Sequence, residues 1–347
     1  MTEHISLAVK YRPKTWDDII EQDAIKFILQ EQLRTGTFKQ VYLFSGPSGD
    51  GKTTTARIFA NSINKGGGNL IEMDAASHNG VDDVREISQQ AKTQSMDSEY
   101  KIFLLDEVHS FSNNAWQAML KLIEEPPEKT IFLFCTTDPQ KIPKTILGRV
   151  QRYNFSRISQ QGIVDRLVKI LQFEQKDENC TCVITSSEEA VEYIAKLADG
   201  GMRDAISMMD KCLSYSTELT LDNVVKALGI ANYDIMFSLF DSISNKDTGL
   251  MLEHIDSIYV SGVDIKQFIR SFTEFILDIN KYRISRDFKI VKIPNNYQQI
   301  IDDYTDAKYD DAQDLLTMLV KLNSEIKWDA NPKALIEANL MMYLCGE

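Results

Sequence analysis

Gly46-Pro47-Ser48-Gly49-Asp50-Gly51-Lys52-Thr53 carries the spacing GxxxxGK[ST], which points to phosphate binding. Glycines let successive backbone N–H groups curl around an anion, and a helix opening at the end of the loop adds the favourable end of its dipole. On this reading Lys52 reaches the terminal phosphates and the Thr53 hydroxyl ligates Mg2+, with Thr54 beside them in the nucleotide site. Asp50 is the odd member. A carboxylate facing bound phosphates would repel them, so its side chain is expected to face away. The bland alternative, a glycine-rich turn without a ligand, is disfavoured by the strand before the loop and the helix after it.

Farther along, the apolar run Ile102–Leu105 leads into Asp106-Glu107-Val108-His109. Asp106 suits a carboxylate holding magnesium through water, and Glu107 one that orients or deprotonates an attacking water. Read alone, two acids at a strand end are as readily a solvated turn; their order and distance from the loop favour chemistry. His109 receives no role. A third run, Ile131–Cys135, ends in Thr136-Thr137-Asp138, where a hydroxyl could stand between the acids and the γ-phosphate.

The elements that must position these residues follow from pattern. Val41–Ser45, Leu70–Met73, Ile102–Leu105 and Ile131–Cys135 read as strands buried on both faces of a parallel sheet. Lys52–Asn64, Val81–Thr93 and Asn113–Glu125 read as helices between them, the last stopped by Pro126-Pro127. Such alternation predicts an α/β sandwich with its ligand at the carboxyl ends of the strands. Beyond Arg157 the strand signals fade. Ser186 with Glu189 predicts a capping box opening a helix through Leu197, and another helix spans about Met202–Ser214. Helical patterns then occupy 221–228, 233–243, 248–260, 264–283, 311–327 and 333–344. Three parts are expected: an α/β domain over 1–156, a small helical lid over 157–220 and a helical domain over 221–347.

Composition bounds the rest. With 43% hydrophobic and 26% charged residues, the chain has the make-up of an ordinary globular protein. No apolar run approaches the roughly 20 residues that span a bilayer, and no secretory leader precedes the first domain, so no membrane partner and a cytoplasmic setting are expected. The five cysteines are odd in number and scattered, and Cys180-Thr181-Cys182 lacks a second pair, which argues against disulfides and structural zinc. A net charge of −13 counts against a surface that grips nucleic acid everywhere, leaving room for a local patch. Lys92, Lys121 and Lys141 are candidates for one, though solvated lysines are the plainer reading of each.

Several strings together resemble the gamma/tau clamp-loader subunits of bacterial DNA polymerase III, a family of AAA+ ATPases. They are Lys10-Tyr11-Arg12-Pro13-Lys14-Thr15-Trp16, Asp74-Ala75-Ala76-Ser77, Asp106-Glu107-Val108-His109, Leu122-Ile123-Glu124-Glu125-Pro126-Pro127 and Thr136-Thr137-Asp138-Pro139-Gln140-Lys141. The resemblance implies an AAA+ P-loop domain, a lid and a C-terminal collar that holds subunits together, with ATP and Mg2+ as ligands. It implies that Tyr11, Arg12 and Pro13 line the adenine side and that Thr137 is the sensor-1 residue. It implies that Arg203, in Gly200-Gly201-Met202-Arg203-Asp204-Ala205, is the lid's sensor-2 arginine. Arg149, in Leu147-Gly148-Arg149-Val150, matches the arginine lent to a neighbouring subunit's ATP site, where the family usually has Ser-Arg-Cys. The partners implied are other loader subunits in a pentamer, homomeric or mixed, a sliding clamp and primed DNA.

Two departures matter. The family's cysteine-rich zinc module falls between the loop helix and Asp74; here that interval is Ile63-Asn64-Lys65-Gly66-Gly67-Gly68-Asn69-Leu70, without Cys or His, so no zinc is expected. Nor is a long tau-like tail expected, since the chain ends at Glu347. A compact loader of a bacteriophage, a plasmid or a divergent bacterium would fit this plan. The rivals are a helicase or branch-migration motor, which shares a P-loop and DExH order, and a loader subunit that holds neighbours together without hydrolysis. The intact Gly51-Lys52-Thr53 and Asp106-Glu107 disfavour the second.

Overall fold

Four apolar runs and one polar run lie side by side, all parallel, to make the central sheet. The computed structural model describes residues 5–65, 68, 70–93, 98–176, 184–229, 233–327 and 329–346, and the chain divides into two units, Met1–Leu219 and Thr220–Glu347. Gly66, Gly67 and the Cys180–Cys182 pair lie outside the described residues.

The first unit runs α1 (Leu7–Lys10), α2 (Asp23–Thr35), β1 (Val41–Ser45), α3 (Lys52–Ile63), β2 (Leu70–Asp74), α4 (Val81–Lys92), β3 (Lys101–Asp106) and α5 (Asn113–Glu124). It continues with β4 (Thr130–Thr136), α6 (Lys144–Leu147), β5 (Gln151–Asn154), α7 (Gln160–Lys176), β6 (Thr185–Ser186), α8 (Glu188–Leu197), α9 (Met202–Tyr215) and β7 (Glu218–Leu219). The sheet order is β2-β3-β4-β1-β5, with β6 and β7 paired separately. Because β4 lies between β1 and β3, whatever ends β4 must stand between the loop after β1 and the acids after β3.

Side chains alternate across the sheet, as strand geometry requires. Phe103, Leu105, Phe132 and Phe134 pack with Val84 and Ile87 of α4 and Trp116 and Met119 of α5. Ile102, Leu104, Ile131 and Leu133 pack on the other face with Leu29 of α2 and Phe59 of α3. Phe132 is wholly buried on the central strand, stacked on Phe103 at 5.2 Å between ring centroids. Phe132→Ala is expected to destabilise this unit by about 3–5 kcal/mol through lost burial and an unfilled cavity, read from its denaturant midpoint.

Most of the expected helices lie within a residue or two of their limits, but the one expected over 311–327 runs Asp306–Glu325, α2 and α7 were not among those expected, and three further differences have substance. β2 is not buried on both faces: it is an edge strand, and none of its five residues is buried. β5, the opposite edge, gave no apolar signal because only Tyr153 of Gln151–Asn154 is buried. The cap expected at Ser186 belongs to Ser187, whose side chain accepts the Ala190 N–H at 3.3 Å, while Ser186 pairs in β6 with Leu219.

The second unit is helical among its described residues: α10 (Leu221–Leu228), α11 (Tyr233–Ser244), α12 (Thr248–Val260), α13 (Ile265–Ser285), α14 (Gln298–Asp302), α15 (Asp306–Glu325) and α16 (Pro332–Cys345). α13 and α15 pack along each other, burying Phe272, Ile276 and Ile279 together with Leu315, Leu319 and Leu322. No helix of the described residues is long and apolar enough to cross a membrane.

Candidate functional site

The loop from Gly46 to Gly51 leaves the buried end of β1 and enters α3 at Lys52. Gly49 and Gly51 sit at φ +79° and +95°, a left-handed region that side-chain-bearing residues rarely adopt. Their turn opens onto a cavity of about 340 Å³ in the first unit. Ser48, Gly49, Asp50, Gly51, Lys52, Thr53 and Thr54 form one wall. Tyr11, Arg12 and Pro13 form a second, Asp106, Glu107 and Thr137 a third, and Arg203 at the start of α9 a fourth. Gly46 and Pro47 are the root of the loop rather than its lining; the Gly46 N–H donates to the Thr136 carbonyl at 3.3 Å.

The acids stand where β3 ends. Thr53 Oγ1 donates to Asp106 Oδ2 at 2.9 Å, so the two oxygens expected around a cation already meet. Glu107 has φ +49°, unusual for a residue with a side chain and a form of strain found at functional sites. Its Oε2 accepts from the Thr137 hydroxyl at 3.0 Å and the Thr137 N–H at 3.3 Å. Thr137 therefore reaches the glutamate, as the position of β4 demands. His109, which the sequence left without a role, also reaches Glu107: its Nδ1 lies 3.1 Å from the same Oε2 and 3.1 Å from Thr136 Oγ1. Asp74, leading the Asp-Ala-Ala-Ser string, closes a turn beside the acids by accepting from the Ala76 N–H and Ser77 Oγ, both at 2.9 Å, while the Ala75 N–H donates to the Asp106 carbonyl.

Asp50 departs from expectation. Its side chain does not face away: Oδ1 lies 2.9 Å from Lys52 Nζ, with Asp50 only 2% and Lys52 5% exposed. Lys52 Nζ also donates to the Pro47 carbonyl. Burial pushes the Asp50 carboxyl above the ordinary carboxylate range against the pull of Lys52.

Cations converge on the same cavity. Burial, then repulsion from Arg57 and Arg203, draws the Arg12 guanidinium below its ordinary range, a field that a polyphosphate would relieve. Arg166 of α7 was missed by sequence reasoning. It is buried in the cavity wall, donates to the Tyr11 carbonyl at 3.0 Å and lies 4.0 Å from Asp18. Its only signal was an arginine on the apolar stripe of Ile163, Leu167 and Ile170. Tyr11 stacks on Phe173 of the same helix, and the Met202 N–H donates to the Gly49 carbonyl at 3.1 Å, so α7 and α9 close the cavity.

Arg149 does not line this cavity. It lies beyond α6, 43% exposed at its side chain, paired with Glu124 at 2.8 Å and donating to the Thr145 carbonyl. Lys92, Lys121 and Lys141 are exposed, the last 3.2 Å from Asp138.

The donor set fits a magnesium–nucleotide complex. Hard oxygens of Thr53 and Asp106 meet below a glycine loop, and magnesium is usually held by one or two protein oxygens plus phosphates rather than by a protein cage. Among the described residues no cluster of three His, Cys, Asp or Glu could hold an ion unaided.

A parallel sheet in this order, with a glycine-rich GxxxxGKT loop after β1, acids after β3, a threonine after the intervening β4 and a helical lid presenting an arginine, is the AAA+ ATPase fold. Solved structures agree: Thermotoga maritima RuvB, described as a Holliday junction branch migration motor, matches with a TM-score of 0.51 at 18% identity over 67% of this chain and 79% of its own. That likeness shows the fold alone.

Sequence comparison is narrower. Residues 68–159 match the DNA polymerase III delta subunit family, 162–218 the ATPase lid domain of DNA polymerase III clamp loader subunits, and 219–343 domain III of DNA polymerase III subunits gamma and tau. The tau subunit of Bacillus subtilis is 34% identical over 94% of this chain and 61% of its own length, and the tau/gamma subunit of Haemophilus influenzae 35% identical over 67% of this chain and 36% of its own. The chain belongs to the gamma/tau family of DNA polymerase III clamp-loader subunits. It spans about three fifths of the length of the Bacillus relative.

Proposed function

We propose that this chain is the ATP-hydrolysing subunit of a DNA sliding-clamp loader in the bacterial cytoplasm, organised as an ATPase domain (1–156), a lid (157–220) and an oligomerising collar (221–347). The observation that carries the proposal is the meeting of Lys52, Thr53, Asp106, Glu107, Thr137 and Arg203 around one cavity. ATP would lie with its phosphates in the loop and its base against Tyr11, Arg12 and Pro13. Mg2+, held through Thr53 and Asp106, would offset charge on the phosphate oxygens.

The backbone N–H groups of Gly49 to Thr53 cradle the phosphates and Lys52 neutralises the terminal ones. Glu107 orients the attacking water and takes its proton, while Thr137 fixes the carboxylate. Arg203 senses the γ-phosphate from the lid, and Arg149 completes the site of a neighbouring subunit. Subunits arranged in a ring, five on the family plan, would open a clamp when charged with ATP and release it on primed DNA after hydrolysis. The acidic chain would meet DNA through a small interior patch shared between subunits.

His109 is read as the second clasp on Glu107. An Nδ1–H donor there suits the ionised carboxylate, since two facing acceptors would repel. His109→Ala is expected to lower kcat about ten- to hundredfold with KM for ATP unchanged, and His109→Asn, whose amide nitrogen falls near the ring Nδ1, to recover most of the loss in a steady-state assay.

The deciding experiment purifies the chain with its partner subunits and measures ATP hydrolysis with and without clamp and primed DNA. Hydrolysis raised by both supports the reading. Duplex unwinding or translocation without a clamp would replace it with a motor, and failure to bind ATP would end it.

A further inference from the structure

The pairing of Asp50 with Lys52 has no part in the reading above, and nothing in a GxxxxGK loop requires an acid at that position. The ammonium of Lys52 has three protons to donate. Two are in use, on the Pro47 carbonyl and on Asp50 Oδ1 at 2.9 Å. Serving both the β- and γ-phosphates takes two protons, so one of these acceptors must be given up. The carboxylate is the one that repels phosphate and competes with it for the same charge.

Its seat is shaped for it. A Cβ at residue 46 would stand 2.4 Å from Asp50 Oδ2 and 2.5 Å from the Phe155 carbonyl, so only glycine leaves room for the carboxylate under the loop. That Oδ2 is buried without a hydrogen-bond partner among the described residues. Lys52 is thus the main group that offsets the carboxylate's charge in a place that otherwise offers it little.

We propose that Asp50 is a built-in competitor for the phosphate-binding lysine, so that a nucleotide carrying β- and γ-phosphates binds only by exchanging with the Asp50 carboxylate on Lys52. The proposal rests on the loop being a triphosphate site. It assigns Asp50 a positioning role: it holds Lys52 in register beneath the loop and sets nucleotide affinity below what the loop alone would reach.

The test is equilibrium binding of ATP and AMP to the full chain, by competition against a fluorescent ATP analogue, for the natural protein, Asp50→Asn and Asp50→Ser. The expected result is ATP binding tighter by about tenfold or more in both variants, with AMP, which offers Lys52 no β- or γ-phosphate, unchanged. Melting curves guard against misfolding: the variants should gain more thermal stability from saturating ATP than the natural chain does. Unchanged or weaker ATP binding in the folded variants, or an equal gain for AMP, overturns the proposal. If the natural chain and both variants all fail to bind ATP, the triphosphate reading of the loop fails instead.

Discussion

Lys52→Ala is expected to reduce ATP binding and turnover by more than about a hundredfold. The variant removes the ammonium placed under the loop, and among the described residues no other lysine lines the cavity. It also strips Asp50 of its ion-pair partner, and breaking a buried pair by removing one member destabilises a fold by about 3–5 kcal/mol. A loss of binding in Lys52→Ala alone could therefore reflect a damaged loop. The double variant Lys52→Ala/Asp50→Asn separates the two effects. It should recover the melting temperature of the natural chain and still fail to bind ATP in a direct titration. A double variant that folds, binds and hydrolyses ATP normally would remove Lys52 from the proposed mechanism.

Arg149→Ala is expected to leave ATP binding to the isolated chain within about twofold and to lower hydrolysis in the assembled loader by about 10³-fold or more, the scale on which a guanidinium supplied by a neighbour acts. Its half-exposed side chain, outside its own cavity and held by Glu124 and the Thr145 carbonyl, suits a group that acts elsewhere. Mixing sharpens the test. Arg149→Ala subunits combined with Lys52→Ala subunits should regain hydrolysis only at contacts where a natural arginine faces a natural loop. Equal loss in the isolated chain would make Arg149 a residue of its own site.

Much of this geometry could be read along the chain because its parts are local. The glycines and Lys52 are neighbours in sequence, and Asp106 and Glu107 end a run of buried residues that announces its strand. Thr137 follows the same logic once β4 is placed between β1 and β3. Contacts that join distant segments were silent. Arg166 meets Tyr11 across 155 residues, and nothing near either one signals the other. His109 meets Glu107 where that glutamate takes a left-handed turn, which no residue type in the sequence required. β5 escaped notice for a different reason: an edge strand with one buried side chain has no hydrophobic pattern to show. Asp50 faces inward, against expectation, because the lysine two residues on attracts its carboxylate.

The close approach of Gly49 to Gly201 has a mechanical meaning. A methyl group on residue 49 would lie 3.2 Å from the α-carbon of Gly201, so loop and lid touch main chain to main chain there. No pliable side chain lies between them to take up play. When the loop settles around a ligand, a displacement of a few tenths of an ångström would pass to α9 and its arginine with almost no backlash, as between meshed teeth. A bulkier residue at either place would act as a wedge, holding the two surfaces apart and uncoupling what one feels from what the other does.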